Sequence, residues 1–202
     1  MVFLRAPRPG EVKRRLAASL DGEAAAAIYR VLVTRTLSAV TGENGVELWH
    51  TPDEAGDEVG YWARPGWRLR PQGEGDLGVR MQRAFESAFG EGAQRVVLVG
   101  TDTPGLTAED VEEAYDRLLD HEVVVGPALD GGYWLIGMTS PRPELFADMP
   151  WSTGEVLRLT EERAAAGGLR VARLRELRDV DTLEDWRLWL RESAEDTVVG
   201  GA

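Results

Sequence analysis

Along this 202-residue chain, the side chains able to do polar chemistry gather in five short segments. The first runs Arg5-Ala-Pro-Arg-Pro-Gly-Glu-Val-Lys-Arg-Arg15, with five cations in eleven residues of a protein whose net charge is −12. Lys13 is the only lysine; the other 22 basic residues are arginine. A loop through Pro9 and Gly10 that opens a helix, reinforced by Arg5, Lys13 and Arg15, reads as an anion site, because main-chain N–H groups and cationic side chains both attract negative charge. The other reading is a solvated basic helix start, which opposes the helix dipole unless an anion sits there. The second segment is Thr101-Asp102-Thr103-Pro104, at the exit of an apolar run. A carboxylate there suits Mg²⁺ or Mn²⁺, hard cations that take oxygen ligands and share them with phosphates; a simple turn cap is the other reading. The third, Asp130-Gly131-Gly132, is either a hairpin turn or a place where a ligand approaches the backbone with Asp130 facing it. The fourth, Asp179-Val-Asp181-Thr182, offers a second metal carboxylate, although Asp before Thr is also ordinary helix-cap composition. The fifth, Gln72-Gly73-Glu-Gly-Asp76-Leu-Gly78-Val-Arg80-Met81, is a glycine-rich entry to a helix that would border a nucleobase or ribose, or be a plain loop.

Several chemistries are excluded. With no cysteine there is no disulfide, zinc thiolate, iron–sulfur cluster or thiol nucleophile, and two histidines, His50 and His121, cannot make a His-rich metal site. Gly-x-Ser-x-Gly is missing, which argues against a serine triad, and no Walker Gly-Lys-Ser/Thr occurs. The acidic balance repels polyanions and argues against a nucleic-acid binder. No apolar run approaches the ~20 residues of a membrane span. The apolar start Met1–Leu4 is too short for a secretory signal, so the expected compartment is the cytoplasm.

The elements that must position these groups alternate. Strands are expected at 2–5, 46–49, 67–69, 95–100, 123–125, 133–138 and 169–174, with helices at 11–20, 23–40, 77–89, 107–119, 154–166 and 182–191 and a short one within 52–62. Leu77, Met81, Phe85 and Phe89 make an i, i+4 apolar stripe; Thr107 with Asp110 reads as a capping box; Val96–Val99 is apolar throughout, as in a strand buried on both faces. This alternation predicts one α/β domain over residues 1–191 with a mainly parallel sheet, ligands binding beyond the strands' carboxyl ends, and residues 192–202 as a frayed tail. The sequence carries no signal for oligomeric state.

Taken in order, Pro9-Gly10-x-Val12-Lys13-x-Arg15-Leu16, the Gln72–Met81 segment, Gly100–Pro104, Asp130-Gly-Gly-Tyr-Trp134-Leu-Ile-Gly137, Trp151-Ser-Thr153 and Asp179–Thr182 resemble a known family. They are similar to the small bacterial GT-A-fold transferases called radical-SAM/selenodomain-associated transferase 1, within the nucleotide-diphospho-sugar transferase superfamily. The resemblance implies a three-layer GT-A fold and a metal-dependent transferase, a glycosyltransferase acting on a nucleotide-activated sugar donor and a separate acceptor. Nucleotidyl transfer from a nucleoside triphosphate with release of pyrophosphate is the alternative, and a non-catalytic nucleotide-binding protein a further one. It implies Lys13 and Arg15 on phosphates, Asp102 and Asp181 on Mg²⁺ or Mn²⁺, the 73–78 loop beside the base, and Asp130 and Trp151 toward the acceptor. Lys13, Asp102 and Asp130 are the expected catalytic residues. Arg5, Pro9, Gly10, Arg15, Gln72, Gly73, Asp76, Gly78, Gly131, Gly132 and Trp151 are expected to bind substrate, as Lys13 and Asp130 would too. Arg14 stands where the family usually has Thr, and Arg5 where Lys is common.

Overall fold

The computed structural model describes residues 1–199, which form one seven-stranded sheet with helices on both faces. Strands β1 (Val2–Arg5), β2 (Glu47–Thr51), β3 (Arg68–Pro71), β4 (Val96–Val99), β5 (Val123–Pro127), β6 (Tyr133–Met138) and β7 (Val171–Arg173) lie in the order β3-β2-β1-β4-β6-β5-β7. All pairings are parallel except those of β6, which runs antiparallel to both β4 and β5. The expected three-layer, mainly parallel α/β architecture is therefore observed.

Alternation along the strands explains the layers. Val2, Leu4, Leu48, Val97, Val99, Val124 and Leu135 face one cluster, shared with α2 (Gly22–Ala39) and α5 (Ala108–Arg117). Their neighbours Phe3, Trp49, Val96, Leu98, Val123, Val125 and Ile136 face the other, shared with α4 (Leu77–Gly90) and α6 (Val156–Ala166). Because side chains alternate with period two, a sheet covered on both sides needs apolar residues at every position, and β4 has them. The stripe on α4 packs as its spacing predicts: Met81 and Phe85 are fully buried against the sheet, while Leu77 at the helix start stays exposed. Thr107 and Asp110 form the predicted capping box of α5.

Two elements depart from expectation. The helix read over 11–20 shrinks to one turn, α1 (Arg14–Ala17), because Lys13 adopts the left-handed conformation at φ 46° and Asp21 caps a new helix immediately afterwards. At the other end, α7 (Leu183–Val199) continues well past residue 191. Val180 and Leu16 form a small core with α2, against which Trp186 and Trp189 of α7 pack. The last three residues of the expected tail lie outside the described residues. The short helical stretch expected within 52–62 is a 3₁₀ turn, Asp53–Ala55, followed by α3 (Gly56–Gly60).

Candidate functional site

The carboxyl ends of β1 and β4 open into a cleft of about 640 Å³. Of the side chains singled out in the sequence, Arg5, Lys13, Arg15, Gln72, Asp102, Trp151 and Asp181 line it. Three come from regions far apart in the chain and meet at one point. Lys13 Nζ lies 2.7 Å from Asp102 Oδ1 and 3.0 Å from Asp181 Oδ1, and Arg15 Nη1 lies 3.4 Å from Asp181 Oδ2. The backbone holds this meeting in place, since Val180 N donates to Asp102 O at 2.8 Å and so ties the loop after β4 to the segment before α7. The Thr182 and Asp185 side chains cap α7 reciprocally, fixing the approach of Asp181.

Lys13 is the most enclosed member, with 5% of its side chain exposed, whereas Asp102 and Asp181 are about half exposed. Burial works against its ammonium, but the two carboxylates outweigh it and hold the Lys13 pKa above its ordinary value. One buried cation thus sits between two carboxylates that face solvent.

Asp179, missed as a partner in the sequence reading, lies behind this group. Its carboxylate accepts a hydrogen bond from the buried Thr103 hydroxyl. Burial pushes its pKa up to about 6, the Asp102 and Asp130 charges add to that, and Thr103 and Lys13 oppose it. Tyr29 is a second missed residue: its hydroxyl accepts from Arg5 N at 2.8 Å and pairs with Thr101 Oγ1 at 3.1 Å, joining the ends of β1 and β4 beneath the cleft. Tyr29 carries no local sequence signal, being an ordinary helix residue until the sheet order sets it beside the cleft, and nothing within the Asp179–Thr182 segment tells Asp179 apart from Asp181.

The remaining predicted residues divide. Asp76 caps α4 by accepting from Val79 N, and Gly73 N donates to Asp53 Oδ1. Gly78 lets α4 approach closely: a Cβ there would stand 2.8 Å from Trp151 Cζ2 and 2.9 Å from the Phe146 carbonyl. Pro9 and Gly10 pack on Gly22 at the start of α2 rather than lining the cleft. Asp130, Gly131 and Gly132 form the β5–β6 hairpin turn, with Asp130 Oδ1 accepting from Gly132 N at 2.9 Å, and lie outside the cleft wall. Gly131 has φ 87° and abuts Gly154, so the turn itself requires glycine there. The basic loop also splits up: Arg8 turns away to Glu54 and Glu58, while Arg5 and Arg14 line the cleft without a carboxylate partner among the described residues. Trp134 and Trp151 of the cleft wall carry indole N–H groups with no acceptor among the described residues.

No group of three or more His, Asp or Glu side chains among the described residues converges as a metal cage. No helix among them is long and apolar enough to cross a membrane.

Comparison with solved structures places this architecture. A protein of Desulfovibrio desulfuricans G20, described as a candidate nucleotide-diphospho-sugar transferase, superposes with a TM-score of 0.88 at 32% identity, over 95% of this chain and 85% of that one. A cytidylyltransferase from Leptospira borgpetersenii gives a TM-score of 0.59 at 16% identity, over 92% and 82% of the two chains. CMP:2-keto-3-deoxy-manno-octonic acid synthetase in complex with CTP gives 0.57 at 13%, over 95% and 97%. These last two likenesses establish the shared fold. No curated protein matches the sequence. The family profile described as "Uncharacterized protein conserved in bacteria (DUF2064)" matches residues 32–153. The chain belongs to that bacterial family, DUF2064, and is built on the nucleotide-diphospho-sugar transferase fold.

Proposed function

We propose that the chain is a metal-dependent transferase whose donor is a nucleotide-activated small molecule, and that its reaction is glycosyl transfer from a nucleoside-diphosphate sugar. The carrying observation is the convergence of Asp102 and Asp181 on the single ammonium of Lys13. The two carboxylates already enclose one cation, and two carboxylates completed by substrate phosphates are a usual Mg²⁺ donor set. Mg²⁺ or Mn²⁺ bound there would neutralise phosphate charge and polarise the leaving group. Lys13, released from the carboxylates, and Arg15 would then hold phosphate oxygens, with Arg14 in the cleft wall adding charge. In glycosyl transfer the acceptor's hydroxyl oxygen bonds to the sugar's anomeric carbon, the bond from that carbon to the phosphate oxygen breaks, and the nucleoside diphosphate leaves while the hydroxyl proton passes to it or to water. The half-buried Trp151 in the cleft wall supplies an aromatic ring for the sugar or acceptor. The 32% identity to a candidate nucleotide-diphospho-sugar transferase supports this donor class. So do the six motifs that resemble the radical-SAM/selenodomain-associated transferases, the subgroup we assign within the superfamily.

One observation favours a second reading. Four cations of the first segment (Arg5, Lys13, Arg14 and Arg15) line a single cleft, as a triphosphate would require. Nucleotidyl transfer would then have a phosphorylated substrate attack the α-phosphate and release pyrophosphate. Product analysis separates the readings: nucleoside diphosphate is expected, and pyrophosphate would replace glycosyl by nucleotidyl transfer. Turnover unchanged in both Asp102→Ala and Lys13→Ala would remove the mechanism altogether.

A further inference from the structure

On the β3 side of the cleft a buried glutamine aims an arginine. Gln72 is 3% exposed, and its amide nitrogen donates to the main-chain carbonyls of Trp49 (2.8 Å) and Leu4 (3.3 Å). Two carbonyl acceptors fix which way the amide points, so Oε1 must face the cleft, where it accepts from Arg80 Nη1 at 3.1 Å. Arg80 Nε donates to the Asp76 carbonyl at 3.3 Å. These bonds pin the guanidinium, yet most of its five N–H donors stay free.

No carboxylate among the described residues forms an ion pair with Arg80. Asp76 and Asp53 attract it at longer range, but each is engaged by a main-chain N–H, of Val79 and Gly73 respectively. The charges that oppose it are two further cations, Arg5 first and then Arg83, and the side chain of Arg5 meets no partner among the described residues. Two arginines thus line one cleft and repel each other, one of them held in place by a buried chain of hydrogen bonds. An oxyanion relieves this repulsion and uses the free donors of a planar fork. Strand order separates Gln72 and Arg80 from Asp102, since Gln72 follows β3, Asp102 follows β4, and both β2 and β1 lie between, while Arg5 at the end of β1 stands between the two.

We propose that Arg80, oriented by Gln72, and Arg5 form a second oxyanion subsite, which grips a phosphate or carboxylate group on the acceptor. The acceptor is therefore an anionic small molecule, not a neutral sugar or alcohol. The proposal rests on the reading that the donor's phosphates occupy the Lys13–Asp102–Asp181 end, and it gives the Gln72–Arg80 side, expected from the resemblance to border the donor's base, to the acceptor instead.

Calorimetric titration of the full chain tests both parts separately. One arm adds inorganic phosphate, or acetate, without metal; the other adds nucleoside di- and triphosphates with Mn²⁺. Arg80→Gln is expected to weaken metal-free oxyanion binding about tenfold or more, the loss of a charge-assisted contact, while Lys13→Met leaves it nearly unchanged. Nucleotide binding with Mn²⁺ is expected to show the reverse pattern. Phosphate binding tighter than acetate identifies a phosphorylated acceptor, and the converse a carboxylate. Should Arg80→Gln fail to fold, Arg5→Gln on an exposed side chain repeats the test. The subsite is overturned if neither anion binds the wild type, or if oxyanion binding falls with Lys13→Met instead of Arg80→Gln. It is overturned too if Arg80→Gln weakens nucleotide and oxyanion binding equally, since Arg80 would then hold the nucleotide's own phosphates. Arg80-dependent oxyanion binding with no nucleotide binding would leave the subsite standing and remove the donor reading.

Discussion

Replacing Lys13 by methionine removes the charge between Asp102 and Asp181 and leaves a chain of similar length. The enclosed ammonium lies 2.7 and 3.0 Å from the two carboxylates, so its loss sets two negative groups facing each other. Breaking a fully buried pair costs ~3–5 kcal/mol, and an exposed pair contributes at most about 1. With Asp102 52% and Asp181 41% exposed, water takes over much of the lost interaction, and about 2 kcal/mol is expected. For a chain of this size that lowers Tm by about 4–8 °C. A divalent ion should then fill the vacated position. At a hundredfold excess over its Kd it returns ~2.7 kcal/mol, enough to offset the loss. In the wild type the same ion must displace Lys13 first, so its effect is smaller. Thermal unfolding with and without Mg²⁺, in wild type, Lys13→Met and Lys13→Met/Asp102→Asn, measures this. The expected pattern is a low Tm in Lys13→Met, rescued by Mg²⁺, with no rescue in the double variant. Equal Mg²⁺ shifts in wild type and Lys13→Met would refute the reasoning.

Two further substitutions probe the scaffold. Gly78→Ala places a methyl 2.8 Å from the Trp151 ring and 2.9 Å from the Phe146 carbonyl; urea unfolding should show a loss of about 1–3 kcal/mol, whereas Gly90→Ala, in open space on the same helix, should be neutral or slightly stabilising. For Asp110, burial works to raise the carboxyl pKa, but the Arg175 fork, at 2.6 and 2.7 Å, and the Thr107 cap outweigh it and hold it below the ordinary range. The unfolded chain therefore binds the proton more tightly, so the stabilisation is complete above about pH 4 and disappears as pH falls through the lowered native value. Asp110→Asn is expected to cost about 1–3 kcal/mol at pH 7, a gap that narrows below about pH 4; a pH-independent gap would show that the ion pair is not its source.

The sequence predicts the fold through features that depend on neighbours in the chain. The i, i+4 stripe of α4, the Thr107–Asp110 box and the uninterrupted apolar β4 each carry their own signal, and each forms where expected. What long-range geometry decides is less legible. The basic segment reads as one patch, yet Arg8 leaves it for Glu54 on the 3₁₀ turn and Glu58 on α3, because β2 lies beside β1. Asp130-Gly-Gly favours the ligand-facing reading slightly over a plain turn, and the antiparallel insertion of β6 sets it in the β5–β6 hairpin, outside the cleft wall. Asp179 lies two positions from Asp181, but the fold buries it against Thr103 while Asp181 reaches Lys13 and Arg15. Gln72 stands in a glycine-rich loop that suggests flexibility, and burial against the ends of β1 and β2 gives it the opposite character.

The central claim is met most directly by a crystal structure with Mg²⁺ and a bound nucleotide. The ion is expected at about 2.1 Å from one oxygen each of Asp102 and Asp181, with Lys13 Nζ withdrawn from both carboxylates and set on a phosphate oxygen. A nucleotide bound elsewhere, with Lys13 still clasped between the two aspartates, would contradict it.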